Sequence, residues 1–258
     1  GANLTMSLRF HEIAEQGIRI LNPFTPDKLA RVGDIVQPTA ATTMLDLCCG
    51  EGEMLCQWAS KYGLHGTGID LSEVFSANAR QRAVELGVSD QITIMQGDAA
   101  LYRDRLSAPA QQFDIVSCIG ATWIGDGLVG TLGLMRPALK ESPDSLLLVG
   151  EPFWNMEPTA AILEAEGLTP DMYLTLSGTL QRIRDAGYTL LSMVLADKDS
   201  WDRYECDVWL NGFRWLEAHP TDPDAAEFRY WLERRQQSYC EIERDYLGWG
   251  VFILRPTA

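Results

Sequence analysis

Short apolar runs separated by longer mixed segments set the rhythm of this chain. Runs at 43–47, 65–69, 91–95, 113–118, 145–150, 188–195 and 249–254 have the length of strands. Helical patterns fill the intervals, and that alternation implies a parallel sheet with helices on both faces. In 53–62, Met54, Leu55, Trp58, Ala59 and Tyr62 share one helical face, and Gly63 supplies a stop. Ser72 is placed to N-cap a second crossover helix that ends before Gly87.

Two segments fall outside that rhythm. Residues 5–36 are patterned as helix with a break at Asn22-Pro23-Phe24, and Thr25-Pro26-Asp27 offers an N-cap, a first-turn proline and a dipole-favourable acid. Between the last two strands, Cys206, Trp209, Phe213 and Leu216 form one helical stripe. Phe228, Leu232, Tyr239, Ile242 and Tyr246 form another, with Asp222-Pro223 marking its start. The expected organisation is a helical cap over 1–40 and one domain over 41–258 that includes a helical insertion at 202–248. That hairpin would lie over one rim of the sheet, either as plain packing or as a lid. Its aromatic residues suit a homodimer interface equally well.

The first strand carries the chemistry. Thr43 to Glu53 runs from an apolar strand through Asp46 into a glycine turn, Gly50-Glu51-Gly52, and then a helix. Glycines there let backbone approach a ligand closely. Asp70, 24 positions after Asp46, ends the next strand, the place from which an acid grips ribose hydroxyls. A pyrophosphate wants bare N–H groups and would meet Glu51 and Glu53 instead. A nucleoside ligand with a positive centre, S-adenosylmethionine, suits the turn better.

Charge narrows the partners. With 36 acidic against 21 basic residues the net charge is −15, which disfavours nucleic acid and anionic membranes. No apolar stretch approaches the length of about 18 residues needed to cross a bilayer, and no basic-then-apolar leader pattern opens the chain. The expected setting is cytoplasmic. Cysteines at 48, 49, 56, 118, 206 and 240 have neither zinc nor disulfide-framework spacing, and the three histidines (His11, His65, His219) form no metal pair. No metal is expected.

Over 40–258 the sequence resembles the class I S-adenosylmethionine-dependent methyltransferases. Asp46 to Gly52 matches their first motif with Cys48 at the usual first glycine, Asp70 the ribose acid, Gly97-Asp98-Ala99 the adenine segment, and Phe113 to Cys118 the fourth strand. A narrower resemblance, to the YjhP-like bacterial methyltransferases, rests on Asn22-Pro23-Phe24-Thr25, Gly120-Ala121-Thr122-Trp123-Ile124, Gly150-Glu151-Pro152-Phe153-Trp154 and Gly248-Trp249-Gly250-Val251-Phe252. The resemblance implies a Rossmann-like α/β fold with seven strands, the last antiparallel and beside the sixth. It implies S-adenosyl-L-methionine as cofactor, bound by Asp46, Cys48, Gly50, Gly52, Asp70, Leu71, Asp98, Ala99 and Cys118.

Beyond the strand ends stand Trp123, Glu151, Trp154, Asp197 and Trp201, so acids and aromatics are expected to converge near the transferred methyl group. Aromatic faces attract cations, although such rings are as often core. Glu151 is the candidate base, or else a structural carboxylate. Tyr173 is a second candidate, and Trp123 an aromatic one. His11, alone in a terminal helix, ranks below them. Methyl transfer to a small molecule is the leading expectation. Self-reaction or cleavage of the cofactor, releasing methylthioadenosine, and a non-catalytic nucleoside-binding module are the alternatives.

Overall fold

The computed structural model describes residues 2–258, with side chains from Thr5 onward. Seven strands form one sheet: β1 (Thr43–Leu47), β2 (His65–Asp70), β3 (Ile92–Gln96), β4 (Ile115–Ile119), β5 (Leu146–Trp154), β6 (Tyr188–Leu195) and β7 (Leu247–Pro256). Their order is β3-β2-β1-β4-β5-β7-β6. All neighbours are parallel except β7, which runs antiparallel to both β5 and β6. Strand seven is therefore an inner strand rather than an edge.

Alternate residues along each strand feed opposite faces, as the pleat requires. Leu45, Leu147, Val149, Phe252 and Leu254 enter one core, and Met44, Leu148, Val251 and Ile253 the other. The helices between and around the strands are α1 (Ala2–Ala14), α2 (Pro26–Val36), α3 (Glu53–Tyr62), α4 (Glu73–Glu85), α5 (Leu128–Met135), α6 (Ala160–Glu166), α7 (Leu176–Asp185), α8 (Lys198–Ala218) and α9 (Ala225–Ser238). Helices α2, α3 and α4 cover one face, while α5 and α7 cover the other.

Local signals place several of these helices. The Ser72 hydroxyl accepts from the Phe75 N–H at 3.1 Å and starts α4. Thr25 caps α2 ahead of Pro26, and Gly63 ends α3 in the left-handed region. The break in the N-terminal segment is longer than the Asn22-Pro23-Phe24 motif suggests, extending from Glu15 to Thr25. Helix α8 also starts earlier than the predicted 202, because Asp197 and Ser200 form a reciprocal capping box. Helix α9 follows Asp224 and leads into a π-turn at Tyr239–Glu243.

A third core joins the chain's two extra segments. Phe10 and Ala14 of α1 pack with Val208 and Leu216 of α8 and with Phe228 and Leu232 of α9. Arg9 adds ion pairs to Asp222 and Asp224. Sequence separation hides this contact, because nothing local tells an N-terminal apolar stripe which partner will bury it. Among the described residues, no helix is long and apolar enough to cross a membrane.

Candidate active site

The chain passes from β1 outward through β2 and β3, then returns to β4 on the other side of β1. At such a switch point the diverging loops leave a crevice beyond the strand ends, where open α/β sheets bind ligands. A cavity of about 730 Å³ lies there, large enough for ligands of drug-like size. Two parts of its wall carry the polar groups. One is the sheet rim, with Asp46, Cys48, Gly50, Asp70, Leu71, Asp98, Ala99 and Trp123; the other is α1 and the 15–24 segment, joined by Tyr204 of α8.

On the rim, Asp70 Oδ2 accepts from the Gly50 N–H and Oδ1 from the Ser72 N–H, each at 2.9 Å. Those bonds fix the carboxylate while leaving lone pairs on both oxygens for vicinal hydroxyls. Burial raises its pKa. Asp46 is wholly enclosed, accepts from the Ser117 hydroxyl at 2.7 Å, and is pushed by burial up to about 7. Asp98 turns its Oδ1 to the Ala100 N–H at 2.9 Å, closing the loop after β3. Cys48 occupies the left-handed region at φ 62, the conformation for which glycine is the usual choice.

Other predicted residues stand away from the wall. Gly52, at φ 69, N-caps α3, and a Cβ there would come within 2.8 Å of the Ala79 side chain on α4. Helix packing accounts for this glycine without a ligand. Cys118 is fully buried behind Cys48 and hydrogen-bonded to it. The two turn carboxylates are engaged: Glu53 with Arg82 at 2.9 and 3.0 Å, and Glu51 with Asn78 at 3.2 Å.

The aromatic and acidic convergence expected near the methyl group divides in two. Trp123 borders the large cavity, 70% exposed on a 3₁₀ turn. Trp154, Asp197 and Trp201 instead line a separate cavity of about 430 Å³ between the ends of β5 and β6 and the helical insertion. The cause is the extension of β5 to Trp154 and its pairing with β7, which carries the end of β5 beyond the switch point.

Glu151 and Tyr173 are on neither wall. Glu151 accepts from the Thr122 hydroxyl at 3.1 Å through Oε1, and its buried Oε2 has no partner. Burial pushes its pKa up to about 8. The Tyr173 carbonyl accepts from the Trp154 indole at 3.1 Å, and burial followed by Glu151 raises its phenol pKa.

A test of Glu151 follows from linkage. A carboxyl with a raised folded pKa adds stability that is complete below its unfolded value and disappears as pH rises through the folded one. Between 4.5 and about 8, the wild type should lose stability relative to Glu151→Gln, by at most about 1.4 kcal/mol per pH unit. Thermal melts across that range check it. A gap between the two proteins that ignores pH would mean the buried carboxyl does not hold its proton.

Three wall residues carry little local signal in the sequence: Glu15, Arg19 and Tyr204. His11, ranked low there, is also on the wall. The spacing of His11 and Glu15, one helical turn apart, is the one cue available in advance. Among the described residues, Arg19 is the only guanidinium on the wall, and it pairs with Glu85 at 3.3 Å.

Comparison with known proteins agrees with this geometry. A family model described as a methyltransferase domain matches residues 44–141. The Escherichia coli (strain K12) protein YjhP is 43% identical over 95% of this chain and 97% of its own length. An S-adenosyl-L-methionine-dependent methyltransferase from Thiobacillus denitrificans, solved with S-adenosyl-L-homocysteine, is 44% identical over 96% of this chain and 98% of its own, with a TM-score of 0.88. A counterpart from Geobacter sulfurreducens, also with S-adenosyl-L-homocysteine, is 43% identical with the same coverages and a TM-score of 0.89.

Proposed function

We propose, for a chain that belongs to the family of YjhP and is an S-adenosyl-L-methionine-dependent methyltransferase, that its methyl acceptor is a small organic molecule bound beneath α1. The observation that carries this reading is the single cavity running from the Asp70 rim to His11 and Tyr204. Cofactor and acceptor would share it, one at each end. The net charge of −15 supports the exclusion of nucleic acid as acceptor.

When bound, S-adenosyl-L-methionine supplies an electrophilic methyl group on a positive sulfur. Asp70 would hold the ribose hydroxyls, Asp98 the adenine amino group, and Arg19 the methionine carboxylate. The Gly50 turn gives close backbone approach. Asp46, Cys48, Leu71 and Ala99 would complete the cofactor end, with Gly52 and Cys118 supporting it from behind. Alignment and exclusion of water would contribute most of the acceleration, as expected for in-line displacement. Trp123 would cover the mouth with its ring face. In this reading Glu151 braces the Trp123 turn through Thr122 and Tyr173 holds the Trp154 indole, so neither touches the reacting atoms. The caps at 1–40 and 202–248 act together as the roof over the domain at 41–258. The unpaired thiols suit a reducing, cytoplasmic setting.

Incubation with S-adenosyl-L-methionine alone, followed by mass spectrometry, tests the reaction class. The cofactor is expected to stay intact, and S-adenosylhomocysteine to appear once an acceptor is added. Methylthioadenosine forming faster than in a protein-free control would make the cofactor itself the substrate.

A further inference from the structure

The acceptor end of the cavity contains a cluster that the cofactor does not account for. His11 of α1 and Glu15, just past the end of that helix, stand one turn apart, with Nδ1 of the imidazole 3.8 Å from Glu15 Oε2. The Tyr204 hydroxyl donates to Glu15 Oε1. Glu15 is 5% exposed, whereas the imidazole keeps 40% of its surface accessible although protein packs most of its surroundings. A ring enclosed in this way and still accessible is one that borders the cavity.

The surroundings of the pair come from α8, α9 and the Gly50 turn. Trp231 of α9 presents a ring edge-on to His11, with centroids 5.2 Å apart. Arg235 of α9 forms a bidentate bond with Glu205 of α8 and lies close enough to act on both His11 and Glu15. Glu51 of the cofactor turn also acts on Glu15. The remaining ionisable groups on the wall, among the described residues, are Arg19, the thiols of Cys48 and Cys49, and the carboxylates Asp46, Glu53, Asp70 and Asp98. Such a cavity repels an anion and accepts a neutral or cationic guest.

Resting on the small-molecule reading above, we propose that His11 and Glu15, oriented by Tyr204, take the proton from a protic acceptor, an alcohol, phenol or amine without negative charge. The acceptor's X–H bond gives its proton to the pair while X forms a bond to the methyl carbon. The carbon–sulfur bond breaks, and its electron pair remains on sulfur. Burial, aided by Arg235, lowers the His11 pKa to about 4, and burial raises that of Glu15 to about 7. Between those values the imidazole is neutral and the Glu15 carboxyl holds its proton; above about 7 the carboxylate is free. Near neutrality a base of this kind is available to accept a proton.

The test uses tritiated-methyl S-adenosyl-L-methionine and a dialysable cell extract, with products separated by ion exchange. Wild type, H11A, E15Q and Y204F are compared, and S-adenosyl-L-homocysteine binding is measured for each by calorimetry. The labelled product is expected to be neutral or cationic. H11A should lower kcat by about 10²–10⁴-fold with cofactor binding unchanged. The wild-type rate should fall through an acidic limb near pH 7, the Glu15 value, and E15Q should lack that limb. By NMR, the His11 ring, assigned by its loss in H11A, should titrate near pH 4 in wild type and E15Q alike, because Glu15 is already protonated there; its wild-type resonance should shift again near pH 7 as Glu15 ionises, a step absent from E15Q. An anionic product overturns the proposal, as does an H11A variant as active as wild type. So does a His11 ring titrating near the ordinary value of about 6.5 whether or not Glu15 is present. If cofactor binds and the His11 resonance shows the Glu15-dependent step but no labelled product forms, the small-molecule reading fails, and this proposal with it.

Discussion

Asp70→Ala is expected to weaken S-adenosyl-L-homocysteine binding by a hundredfold or more. The carboxylate is held by the Gly50 and Ser72 N–H groups at 2.9 Å, so it meets a ligand without first paying the entropy of ordering. Hydrogen bonds to a charged group contribute about 1.5–3 kcal/mol each, and two ribose hydroxyls would lose theirs together. Alanine also leaves the Gly50 N–H without its carboxylate partner, which loosens the turn next to the ligand. Asp70→Asn keeps one carbonyl oxygen and should fall between the two. Calorimetry with S-adenosyl-L-homocysteine, alongside thermal melts to verify folding, is the check. An affinity within about threefold of wild type would remove Asp70 from the ribose site.

Arg235→Met should give the largest loss of stability. The guanidinium and the Glu205 carboxylate are only 18% and 5% exposed, and they meet at 3.0 Å through both Nε and Nη2. Trp231 and Tyr204 lie against the cation, with ring centroids 5.4 and 5.9 Å away. Removing one partner of a buried pair strands the other charge, at a cost of about 3–5 kcal/mol. For a chain of this size that corresponds to a melting point lower by roughly 10 °C. Replacing both partners, as in Arg235→Met with Glu205→Leu, should recover much of the loss, because two apolar groups need no mutual compensation. A single variant melting within about 2 °C of wild type would show that water or another cation already serves Glu205. Sequence alone presents Arg234-Arg235 as a minor basic pair after Glu233; folding turns Arg235 into an internal strut of the helical hairpin.

Much of the molecule is visible in the order of its residues. The bounds of β1, β6 and α3 coincide with the predicted ones, and the other strands differ by a few residues at their ends. These elements are set by local pattern, by caps such as Ser72 and stops such as Gly63, all within a few positions of the element they bound. The Asp46-to-Gly52 turn and Asp70 were equally legible, since a parallel sheet brings the ends of consecutive strands to one rim.

The packing of the outer helices and the far end of the cavity were not. His11 and Tyr204 are separated by almost the whole sheet in sequence, and beyond the His11–Glu15 spacing no neighbour marks either as a site. Only the packing of α1 on α8 and α9 brings their side chains together. The same holds for Trp154 and Trp201, which pattern placed with Trp123 and the fold carried to a second cavity. Their destination depended on the length of β5 and its pairing with β7, a contact between distant segments. Sequence by itself thus determined the sheet, its helices and the cofactor turn, because hydrophobic period, capping and glycine conformation act over a few residues. Tertiary structure decided which surfaces close over that turn, because burying an apolar stripe against a distant partner is a choice among many surfaces of similar chemistry, settled by shape and topology.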